Sequence, residues 1–258
     1  MFMQMKRMPL PVKVLVIGDS CKDVFVYGNC NRMAPAAPVP VFIQDSTKEN
    51  KGMAGNVFEN FRSLEVQCDL ITNPNEIIKT RYVEQNTNHM IVRIDSGEER
   101  IQRIVEPEKI NYSEYDAVVI SDYDKGFLTE QDIKIISAAH DLVFMDTKKL
   151  LGDWAKTVKF IKINKEEYNR TRHLLTDKEW LDKKLIVTVG SHGCLYNGNH
   201  FPVEEVEIKD LTGAGDSFLV GFVYKYLETK DTSDSLKFAN ECATKVVQQK
   251  GVNTINDI

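Results

Sequence analysis

The sequence predicts an α/β fold with a mostly parallel central sheet and helices on both faces. Short apolar runs rich in β-branched residues alternate along the chain with amphipathic segments of helical periodicity. Strands that are apolar throughout are typical of parallel sheets covered on both faces. With 258 residues and no internal repeat or long linker, the chain is expected to bury one full-sized core.

Five apolar runs are the candidate strands of this sheet: VKVLVIG, DAVVISD, LVFMDT, FIKIN and LIVTVG. The segments at 37–44 and 81–95 break the alternation and are interpreted as extended strands, the second with turn residues at 86–88. They predict a small β appendage on the domain formed by residues 12–258. Residues 1–11 contain no apolar run and are expected to form a loose tail.

Composition and charge exclude several classes of protein. The formal net charge of -5 gives no basic surplus for binding nucleic acid or an anionic membrane. No stretch approaches the roughly 18 apolar residues that a bilayer-spanning helix needs. The five cysteines are scattered, without the spacing of a disulfide framework or a metal site. A location in the reducing cytoplasm is therefore expected.

A glycine-rich turn, DLTGAGDSF, precedes the apolar segment LVGFVYKYL of helical periodicity. A helix N-terminus has free N–H groups and favours negative charge, so a phosphate can approach the amides of Gly213, Ala214 and Gly215. A carboxylate at Asp216 would repel a phosphate that is merely bound, but it suits a base for an attacking hydroxyl. The alternative is a tight turn with Asp216 as a helix cap. A dinucleotide-binding motif would need glycine in place of Phe218, and the sequence contains no P-loop motif.

The sequence resembles the ribokinase-like (PfkB) carbohydrate kinases along nearly its whole length from Val12. DLTGAGD resembles the signature of that family, and VIGDSCKDVFVYGNCNRMAPAAPVPVF resembles the opening of the heptose 7-phosphate kinase domain of bifunctional ADP-heptose synthases. KGMAGNV, ISDYDKG, INKEEY and VTVGSHG match further family motifs in the same order. The resemblance implies a three-layer α/β/α sandwich with a small β lid, ATP as phosphoryl donor and Mg²⁺ as cofactor.

The resemblance also implies roles for individual residues around the acceptor. Asp216 would be the catalytic base, and the three residues before it would form the anion hole. The sugar-binding positions would be Asp19, Asp23, Gly52 and Asn56. A phosphate already on the sugar would be held by Arg81, Arg93 and Lys125. The alternatives are a surface turn for Asp23, a helix start for Asn56 and solvated charges for the three cations.

The donor and cation positions follow from the same resemblance. The Mg²⁺ motif N-x-x-E corresponds to Asn164 and Glu167, which also have the spacing of a helix capping box. The nucleotide-contacting positions would be Asn164, Thr188, Gly190 and Asn240. Asp210 and Thr212 match residues that help to hold a monovalent cation in some relatives, so K⁺ is a further candidate.

Three departures from the family pattern leave the acceptor open. Met53 stands where the family motif has glycine, and Lys149 replaces the glycine of D-P-K-G. The segment that joins CDLITN to PNEIIKTRYV is too short to hold the further helix and strand that relatives have there, which predicts a trimmed sandwich. No segment matches the nucleotidyltransferase half of the bifunctional synthases, so the chain is expected to supply only the kinase step.

By resemblance, the acceptor would be D-glycero-D-manno-heptose 7-phosphate, phosphorylated at its anomeric hydroxyl in ADP-heptose biosynthesis. One alternative is a kinase of the same fold for another sugar or nucleoside, such as fructose or ribose. The other is a catalytically inactive regulator that binds a sugar phosphate or a nucleotide. The lid of many relatives forms a dimer interface, so a homodimer through the lid is a further expectation.

Overall fold

The structure is a computed structural model that describes residues 12–175, 179–249, 251 and 253–255; the predicted tail lies outside them. In this part of the chain the strands form two separate sheets. The core sheet contains β1 (Lys13–Gly18), β4 (Gln67–Thr72), β7 (Ala117–Asp122), β8 (Val143–Thr147), β9 (Phe160–Asn164), β10 (Leu185–Thr188), β11 (Cys194–Tyr196) and β12 (Asn199–Phe201). The lid sheet contains β2 (Ser20–Met33), β3 (Pro40–Met53), β5 (Ile78–Glu84) and β6 (Met90–Ser96). The helices are α1 (Ala54–Ser63), α2 (Glu130–Ala139), α3 (Lys165–Thr171), α4 (Ala214–Thr229) and α5 (Thr232–Val247).

The core sheet is mostly parallel, which confirms the predicted fold class. Its strand order is β12-β11-β10-β9-β8-β7-β1-β4, parallel from β10 to β4, with the antiparallel pair β11 and β12 at one edge. The five predicted apolar runs are the strands β1, β7, β8, β9 and β10. Val14 and Leu15 belong to different core clusters, because successive side chains of a strand point to opposite faces.

Helices cover both faces of the core sheet and complete the three-layer sandwich. Phe61 of α1, Phe222 of α4 and Leu236 of α5 are buried against the face that holds Val14. On the opposite face, α2 packs through Ile133, together with several short 3₁₀ turns. Among the described residues, no helix combines the length and the apolar character that crossing a bilayer requires.

The lid sheet is larger than the sequence predicted. β2 and β3 are 14 residues long each and pair antiparallel; β5 joins β2 in parallel, and β6 pairs with β5. The prediction placed the lid strands at 37–44 and 81–95 and missed β2, because polar residues interrupt its apolar pattern. From Cys21 to Phe25, buried residues alternate with half-buried ones, as in a strand with one covered face.

Residues 73–77 join the core strand β4 directly to the lid strand β5. The side chain of Asn73 fixes this junction: it accepts a hydrogen bond from the Ser20 N–H at 2.7 Å and donates to the Asn75 carbonyl oxygen at 2.6 Å. With no described helix or strand between β4 and β5, β4 is the edge of the core sheet. The lid is therefore tied to the core by short connections.

Candidate active site

A cavity of about 360 Å³ lies between the lid sheet and the carboxyl ends of the core strands, the edge at which parallel α/β sheets bind ligands. We call it the lid cavity. Nine predicted site residues line it: Asp23, Gly52, Asn56, Arg81, Arg93, Lys125, Thr212, Gly213 and Asp216. Five residues that were not predicted as site residues also line it: Cys21, Met53, Lys79, Tyr123 and Lys148.

The glycine-rich turn forms the N-terminus of α4. Gly213 is the N-cap, with a φ of 84°, a left-handed conformation that favours glycine. The Ala214 N–H donates to the Leu211 carbonyl oxygen at 3.3 Å, whereas the amides of Gly213 and Gly215 have no hydrogen-bond partner among the described residues. A Cβ atom at Gly215 would come within 2.9 Å of Lys162 Nζ. The turn thus offers an anion two bare amides and a buried ammonium group.

Asp216 is the third residue of α4, and its carboxylate faces the lid cavity. Asn56 Nδ2 donates to Oδ2 at 2.7 Å, and the Tyr123 hydroxyl donates to Oδ1 at 2.9 Å. In the described residues at the start of α4, no side chain caps the helix, so the alternative of a simple helix cap does not hold. Burial raises the pKa of this carboxyl to about 6, although the hydrogen bond from Asn56 opposes the shift. The group is ionised at neutral pH and more basic than an exposed aspartate, as a general base requires.

A chain of amides fixes the orientation of Asn56. The Ile255 N–H donates to Asn60 Oδ1 at 3.0 Å, so the amino group of Asn60 faces Asn56 and donates to its Oδ1 at 3.1 Å. The amino group of Asn56 is consequently the end that meets Asp216. Asn60 is buried and was not predicted; its only signal in the sequence is the four-residue spacing from Asn56 on one helix face.

The lid contributes Asp23, which is buried and pairs with the guanidinium group of Arg81. Gly52 lies opposite this carboxylate. A Cβ atom at Gly52 would come within 2.2 Å of Asp23 Oδ2, so only glycine leaves room for the carboxylate. Asp23 is therefore a buried residue of the cavity lining, and it is not the exposed turn residue that the sequence left as an alternative.

Asp19, predicted as a weaker sugar-binding candidate, does not line the lid cavity. It is fully buried. Its carboxylate accepts hydrogen bonds from the N–H groups of Tyr123 and Phe127 at 2.8 and 3.2 Å. Asp19 therefore holds the loop that follows β7, a role that depends on tertiary contacts and that the sequence does not reveal.

Among the described residues, cations outnumber carboxylates in the lining of the lid cavity. The cations are Lys79, Arg81, Arg93, Lys125 and Lys148, and the carboxylates are Asp23 and Asp216. Arg93 forms a bidentate pair with Asp95, both contacts at 2.7 Å, and Lys125 Nζ lies 2.7 Å from Glu98 Oε2. The side chain of Lys79 is only 8% exposed, and burial lowers its pKa. The side chains of Arg81 and Lys125 are 15% and 28% exposed, which argues against solvated surface charges, whereas Arg93 is 39% exposed and keeps that alternative open.

Asn164 and Glu167 form the capping box that their spacing allowed, at the start of α3. The Glu167 N–H donates to Asn164 Oδ1 at 2.9 Å, and the Asn164 N–H donates to Glu167 Oε2 at 2.7 Å. Lys148 Nζ forms an ion pair with Glu167 Oε1. Asn164 Nδ2 also donates to Glu167 Oε1 at 2.8 Å, so three of the roughly four lone-pair sites of this carboxylate are used and one is left for a water of a hydrated cation.

Asp146 of β8 is a carboxylate that the sequence analysis missed. Its Oδ2 accepts a hydrogen bond from Lys162 Nζ at 2.7 Å, whereas Oδ1 is buried without a hydrogen-bond partner among the described residues and lies 3.9 Å from Lys148 Nζ. A buried oxygen that accepts no hydrogen bond is unfavourable, and a partly hydrated Mg²⁺ would satisfy it. The described residues contain no cluster of three or more potential metal ligands, so Mg²⁺ would also need water and phosphate oxygens.

A second cavity, of about 140 Å³, adjoins the α4 N-terminus from the side of α5; we call it the base cavity. The predicted nucleotide-contacting residues Thr188, Gly190 and Asn240 line it, together with Ala214 and Gly215. Most of the other lining residues are apolar: Val203, Val206, Ile208, Leu211, Phe218, Ala243 and Val247. An apolar slot that ends at bare helix amides fits a purine base with its phosphates at the helix N-terminus.

Asp210 organises the turn before α4. Its Oδ1 accepts hydrogen bonds from the N–H and the hydroxyl of Thr212 at 2.9 and 2.7 Å, and its Oδ2 accepts one from the Gly251 N–H at 3.0 Å. The structure therefore brings together the two residues that were predicted to hold a monovalent cation. The K⁺ site itself stays a prediction.

The profile of the pfkB family carbohydrate kinases matches residues 53–258 of the chain. The bifunctional protein HldE of a Nitratiruptor species is 28% identical over 290 aligned residues, which cover 94% of this chain. The match covers 63% of that protein, so this chain spans less than two thirds of its length. The alignment is longer than the 258 residues of this chain, so the relative contains residues that this chain lacks.

Two solved structures show the same fold. Ribokinase of Arabidopsis thaliana, complexed with ribose and ATP, has a TM-score of 0.69 at 16% identity and covers 96% of each chain. Phosphofructokinase-2 from Escherichia coli, in complex with potassium, has a TM-score of 0.69 at 13% identity, over 95% of this chain and 96% of that one. These similarities confirm the predicted ribokinase-like sandwich. Because the family profile covers most of the chain, the chain belongs to the pfkB family of carbohydrate kinases, which are phosphotransferases that act on a sugar hydroxyl.

Proposed function

We propose that this chain is an ATP-dependent kinase that phosphorylates the anomeric hydroxyl of D-glycero-D-manno-heptose 7-phosphate, as a step in ADP-heptose biosynthesis. The observation that carries the proposal is the position of Asp216. This buried carboxylate lies at the N-terminus of α4 and faces a cavity lined by five cations. The similarity to HldE over 94% of the chain supports a heptose as the acceptor.

Asp216 would act as the general base. Burial raises its pKa to about 6, so at neutral pH it is ionised and able to take the proton of an attacking hydroxyl. Positioning and charge stabilisation supply most of the rate in phosphoryl transfer. The amides of Gly213 and Gly215, the α4 dipole and the Lys162 ammonium group would stabilise negative charge on the transferred group.

The chain also offers residues for the donor and the metal. ATP supplies the phosphoryl group when it is bound, and Mg²⁺ neutralises charge on its phosphates. The base cavity would hold the purine, with Thr188, Gly190 and Asn240 in its lining. The buried Oδ1 of Asp146, which accepts no hydrogen bond from the described residues, and the carboxylate of Glu167, beside Asn164, are the groups that would face Mg²⁺ or its water ligands.

The surplus of cations in the lid cavity supports an acceptor that already carries a phosphate. Arg93 and Lys125 are paired with Asp95 and Glu98, whose side chains are 33% and 30% exposed. When a phosphate takes their place, Asp95 can turn to solvent and Glu98 keeps its ion pair with Lys79, at 3.7 Å, so the exchange leaves no buried charge uncompensated. Arginine and lysine both suit phosphate oxygens, arginine through two parallel hydrogen bonds.

A different acceptor is the second candidate, and Met53 is the observation that favours it. Met53 lines the lid cavity, is 4% exposed and has a φ of 58°, a conformation that costs about 1 kcal/mol or more for a residue with a side chain. Its side chain fills space that the family's glycine leaves open. A smaller sugar such as fructose or ribose, or a nucleoside, is therefore the alternative substrate. The intact hydrogen bonds of Asp216 argue against an inactive binding protein.

Three further features belong to the proposal. A K⁺ ion near Asp210 and Thr212 is supported by the potassium complex of the structurally similar phosphofructokinase-2. A homodimer through the lid is supported by β6, which is exposed along its length and presents Met90, Val92 and Ile94 to solvent. The cytoplasm is the proposed location, because ATP is available there and no disulfide joins the cysteines of the described residues.

The test is ADP release with Mg-ATP against heptose 7-phosphate, the same heptose without phosphate, fructose, fructose 6-phosphate, ribose and nucleosides. Asp216→Asn serves as the blank. Turnover confined to heptose 7-phosphate supports the proposal, and turnover on another acceptor supports the second candidate. Absence of turnover across the panel, with ATP still bound, would leave the binding-protein alternative.

A further inference from the structure

Tyr123 is a residue of the lid cavity to which the proposed function gives no role. It follows β7 directly, and its hydroxyl donates to Asp216 Oδ1 at 2.9 Å. The other oxygen of the carboxylate accepts from Asn56 at 2.7 Å. Both oxygens of the catalytic group are therefore held by a neutral donor, one from α1 and one from the loop after β7.

The loop that carries Tyr123 is anchored on two sides. On one side, the carboxylate of Asp19 accepts the N–H of Tyr123 at 2.8 Å, and Asp19 is fully buried. On the other side, Lys149 pairs with Asp122, at 3.2 Å, and with Asp124. The lysine stands where the family motif has glycine, so this second anchor is a feature of the present sequence. The backbone on both sides of Tyr123 is thus fixed before any ligand binds.

The hydroxyl of Tyr123 acts as a hydrogen-bond donor to Asp216. Burial raises its pKa well above the usual value, so the phenol stays protonated and is a donor to the carboxylate. The ring itself packs under Lys148, whose Nζ lies 5.1 Å from the ring centre. A phenylalanine would keep this contact and lose only the hydroxyl. The hydrogen bond and the packing can therefore be separated by one substitution.

We propose that Tyr123 is a positioning residue for the catalytic base: its hydroxyl fixes the rotation of the Asp216 carboxylate and favours the ionised form. A carboxylate has about four lone-pair sites. Tyr123 and Asn56 occupy two of them, and the remaining sites face the cavity where the acceptor hydroxyl would lie. Asp19 then contributes to the reaction through Tyr123 and without contact with the acceptor. The inference rests on the proposed function only in naming Asp216 as the base.

Other charged and titratable groups also face Asp216, and they are the same in the wild type and in a variant that lacks only the Tyr123 hydroxyl. They are Cys21 of β2, Asp146 of β8, Lys148 after β8 and Lys162 of β9. Asp146 raises the pKa of the Asp216 carboxyl and Lys162 lowers it. Loss of the Tyr123 hydroxyl removes a group that stabilises the ionised form, so the pKa of Asp216 should rise.

Tyr123→Phe is the test variant, and Tyr115→Phe is its matched control. The Tyr115 hydroxyl also donates to a carboxylate at 2.9 Å, that of Asp69, but it lies before β7, at the opposite end of the strand. The direct readout is the pH titration of aspartate side-chain carboxyl carbons, labelled with ¹³C, by NMR in the full chain. The Asp216→Asn protein identifies the Asp216 signal.

The titration midpoint of Asp216 is expected to be about one pH unit higher in Tyr123→Phe and unchanged in Tyr115→Phe. With an active acceptor, the acid limb of kcat/KM should move by the same amount, while the KM for ATP stays within about twofold. An unchanged Asp216 midpoint in folded Tyr123→Phe would overturn the inference. Because the NMR titration needs no turnover, it decides this inference even if every acceptor fails and the proposed function is wrong.

A second measurement applies if Tyr123→Phe does not fold. Uniform replacement of tyrosine by 3-fluorotyrosine makes every phenol more acidic and a stronger donor, and it leaves the chain otherwise unchanged. The Asp216 midpoint is then expected to fall below that of the unlabelled protein. A midpoint that stays the same or rises would overturn the proposed role of the hydroxyl.

Discussion

The two cavities at the N-terminus of α4 differ in how they would recognise a ligand. The base cavity is lined mainly by apolar side chains and backbone, whereas the lid cavity is lined by charged groups that already have partners. Apolar burial and helix amides suit any purine nucleotide. Cations that are already paired discriminate among ligands, because a ligand must replace the carboxylate that is paired with each cation. We infer that the base cavity selects the phosphoryl donor and the lid cavity selects the acceptor.

The largest effect is expected at Asp216, which lines the lid cavity directly after two residues of the base cavity, Ala214 and Gly215. Asp216→Asn should lower kcat by about 10²- to 10⁴-fold, the usual contribution of a general base. The affinity for ATP, measured by calorimetry, should stay near that of the wild type, because the base cavity is untouched. Near-normal turnover would show that Asp216 is not the base.

A smaller effect, confined to the acceptor, is expected in the lid cavity. Lys125→Met should raise the KM for a phosphorylated acceptor by about 10- to 100-fold, since a hydrogen bond to a charged group is lost. The KM for ATP should not change. Lys109→Met is the control, because that lysine also pairs with a glutamate but lies at the surface, with a side chain 68% exposed. Equal effects of the two variants would contradict the phosphate-binding role.

A substitution in the base cavity is expected to change the KM for ATP and to leave the KM for the acceptor nearly unchanged. Ala243→Leu adds bulk to an apolar slot of about 140 Å³ and should raise the KM for ATP about tenfold, while the KM for the acceptor changes little. Steady-state kinetics with each substrate varied in turn separates the two constants. A rise in both constants would mean that the cavities are not independent.

The smallest effects concern pH. A lower pH should reduce turnover, but it should also reduce the destabilisation of the fold by the Asp216 carboxylate. Burial raises the pKa of Asp216 to about 6 from an unfolded value near 3.8, so turnover should fall as the pH drops through about 6. The same shift means that the ionised carboxylate destabilises the fold above that pH. Asp216→Asn should therefore melt at a higher temperature than the wild type at pH 7, and the difference should shrink as the pH falls towards 4. A constant difference across this range would contradict the buried, ionised state.

The parts of the site that the sequence predicts are those with a local signal. The turn at Gly213 and Gly215 combines glycines, a following acid and helical periodicity, and the capping box of Asn164 and Glu167 has its own spacing. The parallel sheet follows from apolar runs in the same way. Each of these features depends on residues that are neighbours in the chain.

The unpredicted residues lack such a signal, because their surroundings depend on strand register. Asp146 and Lys162 lie on adjacent strands, where they are direct partners in the pairing of β8 with β9. Lys79 and Tyr123 lie in segments far apart in the sequence, and only the packing of the lid sheet against the core brings both to one cavity. β2 was missed because its buried face carries Asp23, a polar residue that lines the lid cavity.

The most direct test of the account is the ratio of kcat/KM for heptose 7-phosphate to that for the same heptose without phosphate, measured with Mg-ATP in the wild type and in Lys125→Met. The account predicts a large preference for the phosphorylated sugar in the wild type and its loss by about 10- to 100-fold in the variant. Equal efficiency with both sugars, or a preference that survives in Lys125→Met, would contradict the claim that the cations of the lid cavity select the acceptor.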